Sequence, residues 1–150
     1  MDWKIKCLGA LAFVMLGIGS ASAAGTAVAV DPEAMVRSSG AQRVLLVGAD
    51  VRIGDLIETS TGGHAELVFD DGTKIVVGPG SALLIEDYLL RGDGSTGDFA
   101  ISALGGTFRF ISGKSAKESY KITTPTGTIG IRGTAFDLMT NKPEGTRVLM

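Results

Sequence analysis

The chain is almost without cysteine and histidine: Cys7 and His64 are the only ones among 150 residues. No zinc site can be assembled from one His, because such sites take three or four Cys, His or acidic ligands with Cys and His dominating. Cys7 lies in an apolar N-terminal segment, so the rest of the chain has no thiol and no disulfide to brace it. A Ser or Thr nucleophile would need a base beside it, and His64 is the one imidazole available. It stands next to Gly62-Gly63 at the start of an alternating run, and no Gly-x-Ser-x-Gly elbow exists. It reads as a surface polar residue. Charge of one sign is also missing: acids and bases are interleaved to a net −2, with no Lys/Arg run and no acidic tail. That excludes an electrostatic footprint for nucleic acid.

Other chemistries fail on spacing. Asp70-Asp71 is explained by a hairpin turn, and Glu86-Asp87 would point to opposite faces of a strand. No pair of acids is singled out for glycosidase work. Gly113-Lys114-Ser115 imitates the end of a phosphate loop, but the upstream glycine that the motif requires is Phe108. Gly78-x-Gly80 is a turn without a βαβ unit. Arg91-Gly92-Asp93 is an adhesion tripeptide in an exposed loop, and three residues match easily by chance. No catalytic residue, metal ligand or cofactor is expected.

What the chain has is dispersed glycine: 22 residues, about twice the usual share, without a collagen period or a Gly/Ser linker. With Val, Ile, Thr and Phe between them, these glycines suggest short strands joined by tight turns. A hydrophobic share of 45% against 20% charged is enough for a packed core. The N-terminus has the pattern of a secretory signal. Lys4 and Lys6 precede the apolar stretch Cys7 to Gly19, and Ala21-Ser22-Ala23 fits a small-x-small cleavage site, with Ala24 the first mature residue. The alternative is an uncleaved inner-membrane anchor. Cys7 lacks a lipoprotein context.

Residues 24–42 read as a weakly patterned N-terminal arm, and residues 43–150 as a β-domain. Val44-Leu45-Leu46-Val47 is an apolar run. Ala65, Leu67 and Phe69 alternate on one face, Asp70-Asp71-Gly72 supplies a type I′ turn, and Ile75 and Val77 return to the same core. Ala82 to Leu90 favours strand over helix. Phe108 and Phe110 point inward, and Ser112 to Ser119 is a charged loop. Strands are expected at Tyr120 to Thr124, Thr128 to Ile131, Thr134 to Thr140 and Thr146 to Met150. The last either pairs in the sheet or marks a fragment of a longer chain. The expected fold is all-β, a sandwich or roll of short strands, with a short solenoid as alternative, preceded by the signal helix. Arg132, between Gly130 and Gly133, is read as a tether for the bend; if buried or half-buried it would need an acid or carbonyl partners, with Asp137 a nearby candidate, and contact with a ligand or partner is the other reading. Gly133 is expected at a positive-φ bend, so Gly133→Val should destabilise the chain.

Several segments, in order, resemble the FecR domain. Gly54-Asp55-x-Ile57-x-Thr59 resembles its early motif. Gly63-x-Ala65-Glu66-Leu67-x-Phe69-x-Asp71-Gly72-Thr73 resembles its central hairpin, and Gly80-Ser81 resembles the glycine or proline, then serine, after that hairpin. Thr124-Pro125 to Gly127, then Arg132-Gly133-Thr134-x-Phe136, resembles its late signature. The resemblance spans about Val47 to Met150. It implies an extracytoplasmic, non-enzymatic module that works by protein contact in the envelope. FecR-type regulators relay the loaded state of an outer-membrane siderophore receptor to a sigma factor, through a cytoplasmic anti-sigma region, one transmembrane helix and a periplasmic domain. Here only a few residues precede the apolar segment, which leaves no room for the anti-sigma region. The expectation is therefore a periplasmic or secreted sensing module linked to iron-siderophore uptake, with protein partners such as an outer-membrane receptor. The alternative is a structural or adhesive module without signalling. The motif residues are expected to build the module or contact a partner.

Overall fold

The computed structural model describes residues 23–31, 33–90, 96–141 and 145–149. Residues 1–22 of the expected signal, including Ala21, and the Arg91-Gly92-Asp93 tripeptide lie outside them. The strands are β1 (Gly25–Asp31), β2 (Ala34–Ser38), β3 (Ala41–Val44), β4 (Asp50–Val51), β5 (Leu56–Thr59), β6 (His64–Phe69), β7 (Lys74–Val77), β8 (Ala82–Leu90), β9 (Thr96–Ile111), β10 (Tyr120–Thr124), β11 (Gly127–Gly130), β12 (Ala135–Asn141) and β13 (Gly145–Leu149). A single 3-10 turn sits at Lys117–Ser119.

Strand β9, 16 residues long, makes these strands one curled sheet. Its first part pairs with β8 and, in parallel, with β10. Its last part pairs with β7 and β12. The sheet thus runs β3-β2-β5-β8 on one side of β9 and β7-β6-β1-β4 on the other. All pairs except β9–β10 are antiparallel, so the chain forms a roll and not a stacked solenoid. At the corner of β9 the buried side switches parity: Phe99, Ile101 and Ala103 face inward, then Phe108 and Phe110. Leu104 is the extra residue, since Leu83 faces Ala103 while Ala82 faces Gly105. Gly106 comes next but one with φ 107°, and a Cβ there would lie 2.1 Å from Ser81 Oγ. Only glycine lets the strand bend so closely over Ser81.

The core lies between the two halves, and its aromatic rings show it. Phe99 of β9 sits 4.8 Å from Phe69 of β6, 5.4 Å from Tyr88 of β8 and 5.4 Å from Tyr120 of β10, centroid to centroid. The first two are edge-to-face and the third is tilted; aromatic pairs of this kind each add about 0.5–1.5 kcal/mol beyond burial. With no cysteine among the described residues, the fold gains its cohesion here.

Several expectations hold and others change. Ala65, Leu67, Phe69, Ile75 and Val77 are all buried, as the alternation implies. The turn between β6 and β7 is different in type: only Gly72 has positive φ (83°), and the Gly72 N–H donates to the Phe69 carbonyl at 2.9 Å. This is a type I turn closed by a left-handed glycine, not type I′. Gly25 to Gly40 is no arm: β1 pairs with β6, β2 with β5, and Ala27 and Val36 are fully buried. Its inward residues are mostly alanine, which leaves little periodic signal. Of the apolar run Val44 to Val47 only Leu45 enters the core; Leu46 and Val47 are 65% and 63% exposed. Glu86 and Asp87 do not point to opposite faces. A register shift between Ile85 and Asp87 marks a bulge that keeps both out of the core. β13 pairs with β12.

Candidate functional site

Asp71 is the most densely bonded side chain among the described residues. It is fully buried, and the turn that Gly72 closes aims its carboxylate inward. Oδ1 accepts the Thr73 N–H at 2.9 Å, the local bond of an Asx turn. Oδ2 accepts three hydroxyls: Thr73 at 2.8 Å, Ser115 at 2.7 Å and Tyr120 at 2.8 Å. The Gly113 N–H serves the Thr73 and Tyr120 oxygens at 3.1 and 3.0 Å. No cation among the described residues pairs with the carboxylate. Burial would raise its pKa. The bonds from Ser115, Thr73 and Tyr120 outweigh burial and hold it below the ordinary 3.8, so the group stays charged. Burial, then the charges of Asp71 and Asp70, push the neighbouring Tyr88 phenol up to about 12. Its oxygen accepts the Asp71 N–H at 3.2 Å.

These bonds fix the loop Ser112 to Ser119. The Lys114 N–H donates to the Asp71 carbonyl at 2.9 Å, and the Ser112 N–H to the Thr134 carbonyl at 2.8 Å. A Cβ on Gly113 would meet that Asp71 carbonyl at 2.2 Å. The Gly-Lys-Ser sequence that imitates a phosphate loop is therefore a structural clasp. Its outer side, with Lys117, Glu118 and Tyr120, faces Gly130, Ile131 and Arg132 across a groove of about 480 Å³. A second hollow, of about 190 Å³, lies beyond Arg132, lined by Ile129, Gly133, Ala135 and Phe136.

Arg132 differs from expectation. It is exposed and has no hydrogen-bond or ion-pair partner among the described residues. Asp137 is taken by Arg109, which faces it in the β9–β12 ladder. Arg109 Nε and Nη2 donate to its two oxygens at 2.7 and 2.8 Å. These bonds lower the Asp137 pKa and raise that of Arg109. Gly133 has no positive φ, and a Cβ there would meet nothing closer than 3.9 Å, so the expected strain is absent.

The remaining motif residues take the following places in the fold. The Gly54 N–H donates to the Ile85 carbonyl at 2.8 Å. Asp55 is buried; its Oδ2 accepts the Arg52 N–H at 3.0 Å and Arg43 Nη2 at 3.3 Å. Ser81 Oγ accepts the Thr107 N–H at 2.9 Å and pins the β9 corner. Pro125 is exposed in the turn to Gly127, whose carbonyl accepts the Thr124 hydroxyl at 2.9 Å. Phe136 stacks on Phe110 at 5.4 Å. Ala23 is half-buried, and Ala24 is buried with its N–H on the Val51 carbonyl at 2.9 Å. His64 is exposed at the start of β6.

Asp71, Thr134 and the Arg132 groove are thus joined through one loop, whereas Gly54, Asp55 and Ser81 sit apart from it. Sequence reasoning missed Ser115, Tyr120 and Lys117. The one available signal was Asp-Gly-Thr itself, an Asx turn that presents a carboxylate. Among the described residues no helix is long and apolar enough to cross a membrane, and no cluster of metal-ligating side chains occurs. Nothing matches among curated proteins or solved structures. The family model of the FecR protein matches residues 55–150, beginning at the buried Asp55 and including the Asp71 clasp and the Arg132 loop. With well over half of its length matched, the chain belongs to the FecR protein family, a regulatory and signalling family of the bacterial envelope.

Proposed function

We propose that this protein is an exported, non-enzymatic sensing module that works by protein contact in the bacterial envelope, in the regulation of iron-siderophore uptake. The family match over residues 55–150 carries this reading. In this reading the signal is cut after Ala23 and the mature chain is periplasmic. Asp71, Asp55 and Ser81 hold the module together, and the surface around Arg132 meets the partner, for which an outer-membrane receptor is the leading candidate. Two features support that division. The buried charges of Asp71 and Asp55 are satisfied inside the fold, and the cation of the late signature, Arg132, has no partner among the described residues and lies between two grooves.

The test is expression with the native N-terminus in a Gram-negative host, followed by fractionation, intact mass and affinity capture from outer-membrane extracts of iron-starved cells. A periplasmic species beginning at Ala24 that retains a siderophore receptor agrees with the proposal. A species released to the medium that retains no receptor contradicts it and favours an adhesive or structural module.

A further inference from the structure

We propose that the free edge of β11, together with Arg132, is a docking strip for an extended acidic segment of a partner protein. The inference rests on the reading of the chain as a contact module and names the chemistry of the contact. Among the described residues β11 pairs only with β10. The backbone groups on its other side are open to a further strand. Gly127, Thr128 and Gly130 are exposed along it.

The charges beside that edge select the occupant. Lys121 faces Gly130 in the ladder and is exposed. Lys117 and Arg132 line the larger groove, with Glu118 the single acid. This excess of positive charge stands on a chain whose net charge is −2. A guanidinium that is exposed and unpartnered presents a fork that fits a carboxylate in two-pronged fashion. Lysines close to a sheet edge would alone be explained as protection against aggregation. They do not explain an arginine that lies between two grooves with no partner among the described residues. A second copy of the chain, edge to edge, would offer Arg132 no acid along that edge, since β11 carries only Gly127, Thr128, Ile129 and Gly130. The smaller hollow, walled by Ile129, Ala135 and Phe136, suits an apolar side chain. Since alternate residues of a strand share a face, the fitting segment alternates acidic and apolar residues.

The probes are two fluorescein-labelled peptides, one alternating valine with glutamate and one alternating valine with lysine, titrated into the purified full chain. The valine-glutamate peptide should bind, more weakly as salt is raised, and the valine-lysine peptide should not. Arg132→Ala should lower affinity about tenfold with an unchanged melting temperature, and the amides of Thr128 to Gly130 should exchange more slowly in the complex. Absence of binding by the acidic peptide, equal binding of both, or an Arg132→Ala chain that binds like the parent overturns the inference. A chain that retains its envelope receptor equally well with Arg132→Ala dismisses this strip and leaves the sensing role standing. A chain that retains no receptor but still binds the acidic peptide through Arg132 removes that role and keeps the strip.

Discussion

Asp71 and Arg132 are both charged residues of family motifs, and the fold treats them in opposite ways. Asp71 is fully buried, holds four hydrogen bonds and ties a loop 44 residues away in sequence to its own hairpin. Arg132 is exposed and has no partner among the described residues. A buried charge without partners costs several kcal/mol, so Asp71 needs every one of its donors. An exposed arginine has no such cost and can be left free. The motif signal alone therefore does not separate a residue that builds the module from one that serves it; burial and hydrogen-bond count do. The two are also coupled in one direction. Tyr120, which bonds to Asp71, lines the groove beside Arg132, so the buried cluster shapes the exposed one.

Substitutions can break this contrast. Asp71→Ala leaves the Thr73, Ser115 and Tyr120 hydroxyls without their shared acceptor and should cost about 3 kcal/mol or more, read by urea unfolding. Arg132→Ala should leave the same midpoint unchanged. Glycines on the two sides sharpen the comparison. Gly113→Ala drives a Cβ to 2.2 Å from the Asp71 carbonyl and should cost about 2 kcal/mol. Gly133→Ala meets no atom closer than 3.9 Å and should change little.

Acid gives a smaller effect with a definite sign. The folded pKa of Asp71 lies below its ordinary 3.8. Its contribution to stability is complete above that value and is lost as pH falls through the lower, folded pKa. Asp70 acts against it: burial and the charges of Asp71 and Asp50 raise its pKa, so protonation there favours the folded chain. The parent should thus lose stability on the acid side of 3.8, and Asp71→Asn should flatten that limb. A parent whose melting temperature does not fall there, or a variant with the same slope, would count against the Asp71 assignment.

Legibility tracks the range of the interaction. The β6–β7 hairpin is readable because Ala65, Leu67 and Phe69 alternate and Asp-Gly marks the turn. β1 and β2 are not, because their inward positions are held largely by alanine, and Val44 to Val47 misleads because apolar content without alternation does not fix a strand. The Asp71–Tyr120 bond spans 49 residues, and no local pattern foretells it. Nearness in sequence pairs Arg132 with Asp137. Ladder register gives Asp137 to Arg109 instead. Parity explains the Glu86–Asp87 error as well, since one bulge residue keeps both out of the core.

The most direct test of the contrast is amide hydrogen exchange over Ser112 to Tyr120 in the parent, Asp71→Asn and Arg132→Ala. The N–H groups of Ser112, Gly113 and Lys114 are bonded to Thr134, to Thr73 and Tyr120, and to Asp71. They should be protected in the parent, equally protected in Arg132→Ala, and faster to exchange in Asp71→Asn. Unchanged protection in Asp71→Asn, or lost protection in Arg132→Ala, would contradict the division between a residue that holds the module and a residue left free to meet a partner.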